Sequence, residues 1–244
     1  MPPLLVPAIV PLHPVEPRRL YRQIADQLRA LIAQGEFIAG ARLPAERDLA
    51  RQFGVSRPSI REALIALEVA GWVEVRTGSG VYVLDRSARL PTVIDVPEWG
   101  PFELIRARRV VEGETAALAA MHGKRKDFDA IARAIATMHA VVDRNVMPLD
   151  SDLAFHLAIV EASGNAVLID TVQGFWDSRK GPLFTRLVDY FETARSWRSA
   201  IAEHEAIQAA VVARDPVAAR AAMHQHMDKS HQRLSASWRQ AKVA

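Results

Sequence analysis

The chain contains no cysteine. That absence excludes a disulfide framework, a cysteine nucleophile and thiolate metal ligands, and it leaves histidines and carboxylates to build any metal site. No apolar run approaches the length of a membrane span. The proline-studded opening MPPLLVPAIVPLHPVEP has no basic leader, so residues 1–17 read as a flexible or loosely docked arm rather than a signal peptide, and a cytoplasmic protein is expected. There is no internal repeat and no low-complexity tract beyond a bias to alanine. Charge of one sign is scarce too: 31 Lys and Arg against 28 Asp and Glu give a net charge of +3, too small an excess to identify a nucleic-acid binder by itself. Half of the 244 residues are hydrophobic, enough to bury two separate cores.

What the chain does contain is concentrated first between Leu43 and Val83, LPAERDLARQFGVSRPSIREALIALEVAGWVEVRTGSGVYV. Pro44 has no N–H to lose and suits the first turn of a helix. Leu49, Ala50 and Phe53 make that helix's apolar face, and Gly54 supplies the left-handed residue that stops it. Ser56 can cap the next helix, in which Ile60, Ala63, Leu64 and Leu67 face a core while Arg57, Ser59 and Arg61 are expected on the opposite side near the N-terminus. Gly71 ends this helix. Trp72 to Arg76 then alternates as a strand, Thr77-Gly78-Ser79-Gly80 turns the chain, and Val81-Tyr82-Val83 returns. Two helices around a tight turn followed by a β-wing read as a winged helix-turn-helix, in which residues at the head of the second helix reach base edges in the major groove of DNA.

The stretch from Arg18 to Val83 resembles the GntR family of bacterial transcription regulators, through RRLYRQIADQLRALIAQGEF, the G-x-x-LPAER-x-LA segment from Gly40, and VSRPSIREAL. The resemblance implies DNA contact by Arg47, Arg57, Ser59 and Arg61 and by Gly78 at the wing tip, with Ser56 at the head of the same helix joining the set. Arg47 would pair with phosphate or a base at the groove edge. Arg57 and Arg61 would read guanine or hold phosphate, and the glycine would let backbone approach the minor groove.

After the wing the chain changes character. Residues 85–100 hold Pro91 and Pro97 and no helical period, the composition of a linker. From Pro101 to Ser237 the sequence is almost wholly helical, with helices expected over 101–122, 126–144, 151–163, 166–188, 190–214 and 216–237 and punctuation at Gly123, Gly164-Asn165 and Asp215-Pro216. Residues 238–244 form a tail. The expected fold is therefore mainly α with a small β-wing: a winged helix-turn-helix over 18–84 and an all-α antiparallel bundle over 101–237.

Within the bundle, Asp152 and His156 are four residues apart and leave one face of a helix. His204, in EHEAI, and His226, in AMHQHM, lie on later helices. Three helices can point these four groups into one cavity, and three imidazoles with a carboxylate suit a divalent ion such as zinc, nickel or manganese, with a coordination position open to water or a ligand. Spacing by itself leaves a structural role open, because D-x-x-x-H is common on helix surfaces and a buried histidine often only hydrogen-bonds. His224 is about 200° around the helix from His226 and is expected to face outward. His13, His122, His139 and His231 have no partners at useful spacing.

PFELIRARRVVEGETAALAA, SDLAFHLAIVEASGN and EHEAIQAAVVARDPVAARAAMHQHM resemble the helical effector domain of the FadR subgroup, the FCD domain. That resemblance implies metal ligation by Asp152, His156, His204 and His226, and a small anionic effector. Arg108 matches an arginine on the first helix of such domains that can face the cavity and fork onto a carboxylate; an ion pair with Glu112, one turn later, is the other reading. EPRRLYRQIADQL, ALIALEVAGWVEVRTGSGVYV and GPFELIRARR are similar to hexuronate-responsive regulators of sugar-acid catabolism, and the W-x-x-R-x-x-P pattern at Trp176, Arg179 and Pro182 fits the same subgroup, which makes Arg179 a second candidate effector contact. The resemblance thus implies a homodimeric repressor on a pseudo-palindromic operator, responsive to a hexuronate or related sugar acid, and not an enzyme. A non-sugar organic acid is the alternative effector. A metalloenzyme would use the Asp/His site to activate water, but no general base stands at a characteristic spacing. An architectural DNA binder would need neither metal nor effector.

Overall fold

The computed structural model describes residues 19–85 and 99–236. The expected arm and tail, and nearly all of the expected linker, lie outside the described residues.

Helix α1 (Leu20–Ala33) buries Tyr21, Ile24 and Leu28 at helical spacing. Helix α2 (Glu46–Phe53) starts later than Pro44 suggests: Ala45 is its extended N-cap and Pro44 stands ahead of it. Glu46 and Asp48 occupy the first turn instead, where carboxylates suit the positive end of the helix. Gly54 closes α2 in the left-handed conformation at φ 66°, as expected. Helix α3 (Arg57–Val69) is capped by Ser56, whose Oγ accepts the Ser59 N–H at 3.3 Å. Strands β1 (Val73–Arg76) and β2 (Gly80–Val83) pair antiparallel with Val73 opposite Val83 and Arg76 opposite Gly80. This register buries Val73, Val75, Val81 and Val83 on one face and completes a winged helix-turn-helix.

The second half contains α4 (Pro101–His122), α5 (Arg125–Val142), α6 (Leu149–Ala162), α7 (Ala166–Ser178), α8 (Pro182–Phe191), α9 (Ala194–Val212) and α10 (Pro216–Leu234). The single helix expected over 166–188 is two. Pro182 lacks an N–H and disfavours helical backbone at the residue before it, so Gly181 is extended at φ −67° and ψ 154° and α8 restarts at the proline. The break leaves Arg179 as the C-cap of α7, at a corner. His224 does not face outward freely. It is half-buried, with its ring packed where a side chain at Gly113 of α4 would otherwise sit.

Among the described residues two large apolar cores follow from these faces, beside a small third cluster of Val160, Val172 and Trp176. Ala116, Ile131, Met138, Phe155, Ile159, Ile207 and Met223 close the centre of the bundle. The other core joins Ile24, Leu49, Ile60, Leu64 and Leu67 of the N-terminal half to Phe102 and Ile105 of α4, Leu183, Leu187 and Phe191 of α8 and Leu234 of α10. Each fully buried Leu, Ile or Phe is worth about 1.5–3 kcal/mol, so the seam between the halves is stabilised like an interior. Among the described residues no helix is long and apolar enough to cross a membrane.

Candidate metal centre and nucleic-acid interface

Helix α6 sets Asp152 and His156 one turn apart, α9 supplies His204 and α10 supplies His226, and all four side chains are buried. Their inner atoms converge. His204 Nε2 lies 3.4 Å from Asp152 Oδ1 and 3.3 Å from His226 Nε2, and His156 Nε2 lies 3.5 Å from the same Asp152 oxygen. Asp152 Oδ1 and His156 Nε2 have no hydrogen-bond partner, a condition that costs about 1–3 kcal/mol per buried group unless something takes the lone pairs. Carboxylates face two of the outer nitrogens: His226 Nδ1 is 2.9 Å from Glu203 Oε2, and His156 Nδ1 lies in ion-pair contact with Glu112 Oε2 at 2.5 Å, whereas His204 Nδ1 has no hydrogen-bond partner.

Burial, reinforced by the neighbouring imidazoles, pushes His204 and His226 well below the ordinary imidazole range. Burial would raise Asp152, but His156, Arg179 and His204 together hold its carboxyl well below the usual value. Glu112 behaves alike: Arg108 and His156 outweigh burial and bring it to about 2. For His204 and His226 beside an ionised Asp152 these are the protonation states a divalent cation requires. Ring nitrogens of His156, His204 and His226 lie within 4.8 Å of one another, close enough to hold such an ion, with Asp152 Oδ1 next to two of them.

A small cavity of about 20 Å³ lies beside this cluster, lined by Arg108, Asp152, Arg179, Phe184, His226 and Arg233 among others. It shares Arg179, Phe184 and Val188 with a larger cavity of about 220 Å³ that Trp176 and Lys180 also line. Arg179 donates to Asp152 Oδ2 at 3.2 Å. Its guanidinium stacks 3.9 Å from the Trp176 ring centre, with Arg108 at 4.4 Å from the same ring. Arg108 pairs with Glu112 and also lines the cavity. Burial, with Arg108 close by, lowers Arg179 to about 10, so it stays charged at neutral pH. Trp176 Nε1 is a buried donor without a partner.

On the other half of the chain, Arg42, Arg47, Arg57, Gly78 and Ser79 line a cleft between the wing and the heads of α2 and α3. Arg47 and Arg57 expose 76% and 53% of their side chains. Ser56 is exposed and Ser59 half-buried at the head of α3, with their hydroxyls 2.9 Å apart, and Gly78 holds the wing tip at φ 75°. Arg61 departs from the expectation of an exposed side chain. It is fully buried, with Nε and Nη2 each 2.8 Å from a Glu46 oxygen and Nη1 3.3 Å from the Leu234 carbonyl. The four residues from Arg57 to Arg61 turn the side chain by about 40°, toward the angle between α2 and α3 where Glu46 is itself buried.

Residues 20–83 match the family model for bacterial regulatory proteins of the gntR family, and residues 103–229 match that for the FCD domain. The chain is 34% identical over 226 residues to the Uxu operon transcriptional regulator of Escherichia coli K12, covering 89% of this chain and 87% of that protein. It is 36% identical over 223 residues to the Exu regulon transcriptional regulator of the same strain, covering 88% and 84%. The chain belongs to the GntR family. Its fold is shared with E. coli McbR/YncC, at a TM-score of 0.50 and 23% identity over 88% of this chain and 97% of that one. As a GntR regulator with an FCD effector domain it is a DNA-binding transcription regulator responsive to a metabolite, and not an enzyme.

Three functional candidates of this GntR regulator escape sequence reasoning. Arg233 lines the cavity, donates from Nη1 to both Glu203 oxygens at 3.0 and 3.2 Å, and keeps a buried Nε without a hydrogen bond. It stands seven residues after His226, two turns along one face, a signal that was available. Glu203 adjoins His204 in sequence but serves His226 on the next helix, and nothing local announces that. Arg42 precedes LPAER directly, and its Nε would lie 2.5 Å from any Cβ at Gly80, so the glycine is what lets the wing close over it.

Proposed function

We propose that this GntR regulator is a repressor of sugar-acid catabolism that senses a hexuronate or related sugar acid, and that Asp152, His156, His204 and His226 hold a divalent metal ion, zinc being best suited to them. The observation that carries the reading is the convergence of one carboxylate oxygen and imidazole nitrogens, two of these atoms unpartnered, at the wall of a cavity lined by arginines. The relatives named for the Uxu operon and Exu regulon support the same effector class.

When bound, the ion would act as a Lewis acid that anchors a carboxylate or hydroxyl oxygen. The chain's own groups do the remaining recognition. Arg108 and Arg179 are fixed on Trp176 and by their carboxylate partners, so their free N–H groups are pre-positioned for a carboxylate. Trp197 Nε1 and Arg233 Nε belong to residues that line the cavity and make no hydrogen bond, so they are donors suited to hydroxyl or carbonyl oxygens of a polyol chain. Charge also discriminates. Four cations, Arg108, Arg179, Arg233 and Lys229, face four carboxylates, Glu112, Asp152, Glu192 and Glu203, so a divalent cation would leave the site net positive and favour an anionic ligand.

On the DNA side, Arg47 and Arg57 supply phosphate or base contacts, Ser56 and Ser59 hydrogen-bond at the head of α3, and Gly78 brings wing backbone to the minor groove. A homodimer places two readers, each over residues 18–84, on half-sites of a pseudo-palindromic operator. A linker over 85–100 joins each reader to the effector domain over 101–237. The site of action is cytoplasmic, on the nucleoid. The experiment is a thermal-shift screen of the full chain against sugar acids with and without chelator. A sugar acid at one hundred times its Kd should add about 2.7 kcal/mol of stability, and chelator should abolish the gain. A gain only from lactate or another non-sugar acid would overturn the effector class, and no gain from any acid with metal present would overturn the sensor.

A further inference from the structure

The recognition helix α3 is gripped from behind by three helices of the effector half. Arg61 Nη1 donates to the carbonyl of Leu234 at the end of α10, and its guanidinium lies 5.1 Å from the ring centre of Phe191 on α8. Glu62 accepts the N–H of Phe102 at 2.7 Å, at the head of α4. Glu68 accepts from Arg186 at 3.1 and 3.3 Å and from the Tyr190 hydroxyl at 2.7 Å, both on α8. The same three helices build the cavity: Arg108 comes from α4, Phe184 and Val188 from α8, and His226, Arg233 and Leu234 from α10. Leu234 takes part in both, lining the cavity with its residue and holding Arg61 with its carbonyl.

We propose that the effector domain carries a docking surface whose partner is this chain's own recognition helix, and that Glu46 and the Leu234 carbonyl occupy the Arg61 guanidinium in place of DNA. The proposal rests on reading Arg61 as a DNA contact, which the GntR resemblance implies, and it names the regulation of that contact. Arg61 follows Arg57 by one turn, so DNA that reaches Arg57 lies close to it. One guanidinium cannot keep its fork on Glu46 and Leu234 and also fork onto guanine or phosphate. Glu46 belongs to the reader's own α2, so undocking frees Nη1 from Leu234 while Nε and Nη2 stay within reach of Glu46. Docked and released readers therefore differ in the donor that Arg61 can turn toward DNA, and a ligand that shifts the end of α10 changes the balance between them.

The test is a double-mutant cycle on the full-length protein, read by fluorescence anisotropy with a duplex that the wild-type protein has itself enriched from a randomised pool. Arg186→Ala with Tyr190→Phe removes the α8 grip on Glu68 without touching the wing cleft, the cavity or the metal cluster. This variant should bind the duplex at least five-fold more tightly than wild type. Arg61→Ala in the wild-type background loses docking and DNA contact together and should change affinity less than three-fold. In the released background it should cost about five- to 150-fold, the worth of a base-reading guanidinium. Affinity of the α8 variant within two-fold of wild type, or the same cost of Arg61→Ala in both backgrounds, overturns the proposal. Arg186 is exposed and Tyr190→Phe keeps the buried ring while removing only the hydroxyl, so the α8 pair stands as a test even where Arg61→Ala fails to fold. If the wild-type protein enriches no duplex, the DNA-binding reading itself fails, a result distinct from an additive cycle.

Discussion

Replacing Glu203 by Gln keeps size and shape and removes one charge from the outer side of the metal cluster. Glu203 is buried, with Oε2 2.9 Å from His226 Nδ1 and Oε1 3.0 Å from Arg233 Nη1. Its carboxylate keeps the proton of His226 on Nδ1, so that Nε2, 3.3 Å from His204 Nε2, presents its lone pair inward. A carboxylate in this position also raises the basicity of the ligand, and losing it typically lowers metal affinity 10- to 100-fold, or about 1.4–2.7 kcal/mol. The amide still accepts a hydrogen bond, which places the expected loss at the lower end of that range. Arg233 meanwhile keeps only Glu192, at 3.6 Å, and gains freedom to turn toward the cavity. The assay is competition for zinc against a fluorescent chelator of known affinity, with the melting curve of the metal-free variant checking the fold. Zinc affinity within two-fold of wild type, alongside loss of binding in Asp152→Asn, would refute the orienting role of Glu203.

Burial raises Glu62 to about 7 from an ordinary value of 4.5. Its contribution to stability is then full below pH 4.5 and is lost as pH rises through 7, so Glu62→Gln, which still accepts the Phe102 N–H, should gain up to about 3 kcal/mol over wild type above pH 7 in urea melts. An unchanged difference between pH 5 and pH 8 would count against a buried carboxyl there. Arg42→Ala and Arg47→Ala should each weaken binding evenly across duplex sequences and lower the slope of log affinity against log salt by about 1; an unchanged slope would place that arginine off the phosphates. Arg179→Ala should remove effector-dependent stabilisation while sparing the fold's response to operator DNA, and a variant that still gains full stability from the sugar acid would exclude Arg179 as a contact.

Much of the N-terminal fold was legible because its signals are local. Gly54 had to adopt a left-handed turn, Ser56 had to cap α3, and the alternation around Thr77-Gly78-Ser79-Gly80 had one reasonable register. The break between α7 and α8 was hidden by helical apolar spacing on both sides of Gly181-Pro182, although the proline's chemistry announced it. In the candidate site, Asp152 and His156 declare themselves by a one-turn spacing, whereas His204 and His226 join them only through the family motif. The burial of Arg61 depends on Glu46 on another helix and on Leu234, 173 residues away, and no periodicity of α3 encodes such partners. Glu203 is the same case, since its role is set by the packing of α9 against α10.

The central claim is that an acid held in the arginine-lined cavity beside the metal cluster changes the affinity of a remote DNA reader. Operator titrations by fluorescence anisotropy, with metal-loaded and chelator-treated protein and with glucuronate, galacturonate or fructuronate present or absent, test it most directly. The account predicts a shift of roughly five- to 150-fold for at least one of these acids, lost on chelation and in Arg108→Ala and His226→Ala, with effector-free binding unchanged in Arg108→Ala. Superimposable curves for the metal-loaded protein with and without every acid would contradict it.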